Sequence, residues 1–239
     1  MSIFQSDDEL VDHVKLSISN AFNEIGKLNN PSLLAAGILN FFGMSGKRTR
    51  LLLNGLGSKS GIRYAEVGTH MGSTLFSVLY DNENIKAVCC DNWTEFLGPK
   101  EEFIKNANMF AAGNPGKNHS VTLFNQDFRT LNFGDKDWSD IDFYNYDGPH
   151  REKDQYDGIV TAYPGLADRF ILFVDDWNWQ GPREGTIKAL ESLDIEILFF
   201  QEIITPDEIK NDQGVIMNRF QNSDWHNGIA VFACKKKRN

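Results

Sequence analysis

Cysteine is scarce in this chain. Its three residues among 239, Cys89, Cys90 and Cys234, carry no metal-ligand spacing. Cys89 and Cys90 fall inside an apolar run, which predicts buried free thiols and a reducing compartment over a disulfide framework. Long apolar runs are missing too: no stretch of about 18 residues has the character of a membrane-spanning helix. The opening segment Met1-Ser2-Ile3-Phe4-Gln5-Ser6-Asp7-Asp8-Glu9 is acidic and lacks a basic region followed by an apolar one, so no secretory signal is visible. The expectation is a soluble, cytoplasmic protein. Positive charge is in deficit, with 24 Lys and Arg against 33 Asp and Glu and a net charge of -9. That argues against nucleic acid or an anionic membrane as a general partner. The basic end Lys235-Lys236-Lys237-Arg238-Asn239 is read as solvated. There is no internal repeat and no low-complexity tract.

What is present is a 41% hydrophobic content with 18 Phe, at a length usual for one sizeable α/β core. Leu10, Val11, Val14, Leu16, Ile18, Ala21 and Phe22 recur at helical spacing over residues 8–25. Asn29-Asn30-Pro31-Ser32 interrupts the chain, residues 33–42 read as a short apolar helix, and 47–56 read as another. Residues 1–58 are therefore expected to be a helical lead-in packed on a main domain at 59–239, or partly a lid over its site. Gly43-Met44-Ser45-Gly46-Lys47-Arg48 resembles a phosphate loop only superficially. Arg48 stands where Ser or Thr must hold magnesium, and the preceding segment is helical.

From residue 61 the pattern alternates. Strands at 62–67, 85–91, 120–125, 142–146 and 169–174 are separated by helices at 73–80, 98–110, 150–162 and 182–193. Strands at 195–200 and 229–234 close the chain, and the polar segment 205–227 between them reads as a long loop or broken hairpin. This order implies a doubly wound, Rossmann-like α/β fold whose seven-stranded sheet is mostly parallel, with right-handed crossovers and an antiparallel last strand. The closing pair is expected to place that strand at one edge.

The first strand runs through Glu66 into Gly68-Thr69-His70-Met71-Gly72 and opens a helix at Ser73. Ligands of open α/β sheets bind beyond the carboxyl ends of the strands. Gly68 lets the backbone turn there, and Gly72 lets it come close as the helix begins. Successive strands end in acids: Glu66, Asp91, Asp127, Asp147 and the pair Asp175-Asp176. Acids crowded on one rim are costly unless a positive or hydrogen-bonding partner sits among them. The first three suit an adenosine ligand. Glu66 is expected to hold the glycine turn or to orient the ligand's amino group, and Asp91 to take both ribose hydroxyls. Asp127 and Phe128 are placed at the adenine, and His70 lines or covers the same pocket. The G-x-x-x-G spacing suits an uncharged or cationic head group better than a pyrophosphate.

Asp147, Asp175 and Asp176 form a second cluster, suited to a hard divalent cation such as Mg²⁺ or to one carboxylate acting as a base. His150, three residues past Asp147, is a candidate proton acceptor. His13, His119 and His226 have no partners that spacing identifies. Trp93, Trp177 and Trp179 follow strand ends, where aromatics can wall an organic acceptor.

Tyr64-Ala65-Glu66-Val67-Gly68-Thr69-His70-Met71-Gly72-Ser73-Thr74, with Asp91-Asn92-Trp93, Asp147-Gly148-Pro149-His150 and Phe173-Val174-Asp175-Asp176-Trp177, resembles the class I S-adenosylmethionine-dependent methyltransferases. The resemblance is nearest to the small-molecule and sugar O-methyltransferase branch of macrocin-type and catechol-type enzymes, and covers roughly residues 60–203. It implies cofactor contacts at Glu66, Gly68, Gly72, Asp91 and Asp127; Thr69, His70, Asn92 and Phe128 beside them are expected to contact the cofactor as well. It further implies metal ligands at Asp147, Asp175 and Asp176, and catalysis by His150 with Asp147. Pro149 and His150 depart from the usual residues of the D-G-x-x segment, and the turn has two glycines instead of three. The expected activity is methyl transfer to a small hydroxylated acceptor, a sugar or catechol-like ring. Alternatives are a nicotinamide or nucleotide-sugar enzyme on a similar fold, or a non-catalytic methyltransferase-like binding module. A homodimer is compatible with the sequence.

Overall fold

Strands whose side chains are apolar on both faces demand cover on both faces, and the computed structural model supplies it. It describes residues 2–25, 37–113, 117–134, 136–205, 208–210, 216–219 and 224–237. Helix α1 (Asp7–Ile25) starts with three acids in its first turn, favourable at the positive end of the helix dipole, and the Ser6 hydroxyl accepts from Glu9 N (3.1 Å). Its Leu10 and Val14 are buried, and Leu16 and Phe22 face outward. Helix α2 (Lys47–Leu56) follows. Of the helix expected at 33–42, residues 33–36 lie outside the described residues, 37–39 are helical and the chain turns at 40.

The sheet is built from β1 (Arg63–Val67), β2 (Lys86–Cys90), β3 (Ser120–Phe124), β4 (Ile141–Tyr146), β5 (Leu166–Val174) and β6 (Ile195–Ile203), with β9 (Ile229–Lys236). A separate antiparallel pair, β7 (Glu208–Lys210) and β8 (Ile216–Arg219), occupies part of the segment read as a loop or broken hairpin. Helices α3 (Ser73–Leu79), α4 (Lys100–Gly113), α5 (Glu152–Ala162) and α6 (Gln180–Ser192) make the crossovers.

Strand order is β3-β2-β1-β4-β5-β9-β6, parallel except for β9. The last strand is antiparallel as expected, but it does not sit at the edge. It is inserted between β5 and β6, so that β6 is the edge strand. Strand residues alternate between two cores. Tyr64, Cys89, Phe143 and Phe173 pack with α1, α2 and α3, whereas Val67, Cys90, Tyr146 and Val174 pack with α5 and α6. All three cysteines are free and buried. Asp7 ties α1 to the sheet through Arg169 Nε (2.6 Å) and Lys235 Nζ (2.7 Å). Lys235 and Lys236 therefore end a paired strand and are not a solvated tail, since Lys236 Nζ also donates to Leu166 O (2.5 Å). No helix among the described residues is long and apolar enough to cross a membrane.

The register sets the rim. Cys90, Val67, Tyr146 and Val174 are level across β2, β1, β4 and β5. The next residues, Asp91, Gly68, Asp147 and Asp175, therefore stand in one row. Gly68 adopts φ +88°, and a Cβ there would lie 1.8 Å from the Asp147 carbonyl oxygen. Gly68→Ala is expected to lose on the order of 3 kcal/mol of stability, from the left-handed backbone and the overlap together. Urea denaturation measures this, and a loss below about 1 kcal/mol would contradict so close a crossing.

Candidate active site

Beyond β1 the chain is held as a tight turn. Gly68 N donates to Cys90 O (2.9 Å), Gly72 N donates to Thr69 O (2.7 Å), and α3 begins. Asp91 clamps this turn: Oδ2 accepts from His70 N (2.7 Å) and Oδ1 from Trp93 N (2.6 Å). Trp93 Nε1 returns a bond to His70 O (3.0 Å). Burial pushes the His70 imidazole below its ordinary value despite Asp91, which keeps the ring neutral. Asn92 Oδ1 accepts from Thr94 N (3.2 Å) and shapes the following loop.

Part of the lead-in, read from the sequence as packed on the domain or partly a lid over its site, adds to the wall. Met44 and Ser45 line the cavity. Their loop is fixed by the buried Arg50, which donates to Ser45 Oγ (2.8 Å), Gly43 O (3.0 Å) and Phe41 O. Asn106 of α4 donates to both Phe42 O (2.6 Å) and Met71 O (2.8 Å), joining that loop to the glycine turn.

At the far side of β2, Asp127 accepts from Arg129 N (2.9 Å) and pairs with the Arg129 guanidinium (3.0 Å), which also reaches Asp154. The guanidinium lies 4.5 Å from the Phe128 ring centroid. Arg129 thus covers a face of the ring expected to meet adenine. The spacing Asp127-x-Arg129 was the available signal for it.

Asp147, following β4, and Asp175-Asp176, following β5, converge with His150. His150 Nε2 is 2.5 Å from Asp176 Oδ2 and 3.7 Å from Asp147 Oδ1. Burial opposes charge on His150, but the two carboxylates prevail and push its pKa up to about 10. Burial raises Asp147 to about 6 and holds Asp175 well above the usual carboxylate range, with neighbouring acids adding to it. Asp176 is also buried, yet its bond with His150 brings it below the ordinary value. Its other oxygen accepts from Asn227 Nδ2. Asp175 is 5% exposed and its Oδ1 has no hydrogen-bond partner.

One cavity of about 550 Å³ joins these parts. Gly68, Thr69, His70, Asp91, Asn92, Asp127 and Phe128 line it toward β2, and Asp147, His150, Asp175 and Asp176 line it toward β5. Two expected contacts do not line it. Gly72 caps α3 at φ +80°, where a Cβ would meet the Phe76 ring (2.5 Å), so its missing side chain serves helix packing. Glu66 is wholly buried beneath the turn, where Oε2 accepts from Tyr64 Oη and from Asn145 Nδ2 (3.1 Å). His226 and Asn227, which carry no readable spacing, enter the wall beside Asp176.

Residues 65–177 match the family model described as a methyltransferase domain. The fold is similar to that of a tRNA methyltransferase, TrmI, from Aquifex aeolicus, at 17% identity and a TM-score of 0.55, covering 87% of this chain and 78% of that one. It is also similar to magnesium protoporphyrin IX methyltransferase from Synechocystis, solved with bound SAH, at 12% identity and a TM-score of 0.53, covering 81% and 85%. No curated protein matches the sequence. The chain has the class I S-adenosylmethionine-dependent methyltransferase fold, a catalytic fold. The names of the two structures place RNA and porphyrin acceptors on that same fold.

Burial pushes the Glu66 pKa up to about 7 against bonds from Tyr64, Thr74 and Asn145. In the unfolded chain the group ionises near 4.5, so between the two values only the folded state keeps the proton. Stability therefore falls as pH rises through that window, by up to ~3 kcal/mol from this group. Denaturation of Glu66→Gln beside the parent from pH 4.5 to 7 is expected to show the variant losing that share of the slope. Parallel curves would place Glu66 in a polar environment instead.

Proposed function

We propose that the protein transfers the methyl group of S-adenosylmethionine to a hydroxyl of a small acceptor, a sugar or catechol-like ring, aided by a divalent cation. The supporting observation is the row Asp91, Gly68, Asp147, Asp175, which gives one cavity a clamped turn at one end and a cluster of carboxylates at the other. The net charge of -9 favours a small acceptor over RNA.

When bound, S-adenosylmethionine supplies an electrophilic methyl on its sulfonium. Asp91, already fixed by two backbone N–H donors, keeps lone pairs for the ribose hydroxyls. Gly68 and Thr69 bring bare backbone to the ligand, and His70 closes over it as a neutral ring. Asp127, Phe128 and Arg129 bound the adenine side, with Arg129 a further contact. Asn92 shapes the rim, while Glu66 and Gly72 act from behind the turn. Uniting methyl and oxygen in one cavity is the main catalytic device, since transfer needs alignment more than activation of the donor.

The donor set at the second cluster fits a cation. Asp147, Asp175 and Asp176 would hold it, and the buried Asp175 Oδ1 has no hydrogen-bond partner of its own. Such an ion would favour the acceptor's oxyanion and fix its direction. His150 is the positive partner of Asp147 and Asp176; with their charge met by a cation, its imidazole is free to take the acceptor's proton. Trp179, at 5.1 Å from the His150 ring, gives a wall for the acceptor's ring.

Asp175→Ala is expected to abolish methyl transfer to polyols and catechols and to leave S-adenosylmethionine affinity within about threefold. Asp91→Ala is expected to weaken cofactor binding by about 1.5–3 kcal/mol, the range for hydrogen bonds to a charged group. Calorimetry and a methyl-transfer assay read both. Equal loss of binding and transfer in folded Asp175→Ala would contradict the division of roles.

A further inference from the structure

His226 and Asn227 reach the acid cluster for a topological reason. Because β9 runs antiparallel beside β5, Ala230 pairs with Val174, and the residues before β9 arrive where β5 leaves the sheet. The two segments are zipped together: Trp177 N donates to Gly228 O (3.1 Å) and Asn178 N to Asn227 O (2.8 Å). Thr205 Oγ1 donates to His226 O (3.2 Å), and His226 sits in the left-handed region at φ +50°. Its Nδ1 is 3.7 Å from Asp176 Oδ1. Single ligand atoms of Asp175, Asp176 and His226 all fall within 4.8 Å of one another.

Two further oxygens call for a cation there. Asp175 Oδ1 is buried without a hydrogen-bond partner. So is Asn227 Oδ1, on a side chain 2% exposed whose Nδ2 is held at Asp176. Buried oxygens left unpaired in this way are expensive unless an ion or water meets them.

We propose that His226 joins Asp175 and Asp176 as a nitrogen ligand, so that the site selects a first-row transition ion such as Mn²⁺, Co²⁺ or Zn²⁺ over Mg²⁺. Magnesium takes oxygen ligands and sheds water reluctantly, whereas imidazole suits the transition ions. The inference deepens the metal-assisted reading above and rests on it.

Calorimetry with Co²⁺ and with Mg²⁺, without S-adenosylmethionine, tests it, alongside the visible absorption of bound cobalt. The parent is expected to bind Co²⁺ at least ~100-fold more tightly than Mg²⁺, in keeping with the affinity order of nitrogen-containing sites. His226→Asn keeps a residue tolerant of the left-handed backbone and replaces ring nitrogen by amide oxygen. It is expected to weaken Co²⁺ by at least ~10-fold, shift the cobalt spectrum, and leave Mg²⁺ binding unchanged. Equal affinity of the parent for both ions, or an unchanged ratio in folded His226→Asn, overturns the assignment. Selective cobalt binding without methyl transfer supports this site and counts against the proposed activity. Methyl transfer with unselective binding overturns this site alone.

Discussion

The chain crosses itself at Gly68 with no room for a side chain, and that crossing sets the scale of the site. The backbone leaving β1 passes directly against the carbonyl of Asp147 as the backbone leaves β4. The turn that would cradle a nucleoside and the acids that would hold an ion are thereby fixed to each other through main chain. No flexible side chain intervenes. The level register of β2, β1, β4 and β5 extends the same constraint to Asp91 on one side and Asp175 on the other. An alignment-driven reaction needs this arrangement, because reach between the two halves cannot drift with rotamers.

The buried acids meet the cost of burial in different ways. Glu66 is stabilised within the core by Tyr64 and Asn145 and by its raised affinity for a proton. Asp176 is paired with His150 and accepts a hydrogen bond from Asn227. Asp175 also holds a proton more tightly than usual, and its Oδ1 has no hydrogen-bond partner. Glu66 and Asp175 each keep one buried oxygen without a hydrogen-bond partner, and of the two only Asp175 lies at the cavity wall.

Much of the fold is legible in the sequence because its signals are local. Apolar runs ending in Glu66, Asp91, Asp147 and Asp175 identify parallel strands and, with the strand-end rule, the rim on which a ligand sits. Non-local pairings are not legible in that way. Nothing in Ile229–Lys236 announces that it slides between β5 and β6, and without that insertion His226 has no visible neighbour. The glycine turn shows the same limit on a smaller scale. Gly68 and Gly72 look equivalent as sequence, yet one yields to a backbone carbonyl and the other to the Phe76 ring. Arg129 is hidden because a cation two residues after an acid is common on any surface, and only the fold brings Asp154 and Phe128 to it.

The loop bearing Met44 and Ser45 hangs from Arg50 of α2 and from Asn106 of α4, and Asn106 also grips Met71. The amino-terminal helices are therefore not a detachable preface to a self-sufficient catalytic unit. A fragment trimmed to begin at β1 would lose one side of its own ligand chamber and leave the Asn106 amide facing solvent. In a chain built this way, replacing the amino-terminal segment would also rebuild part of the cavity wall.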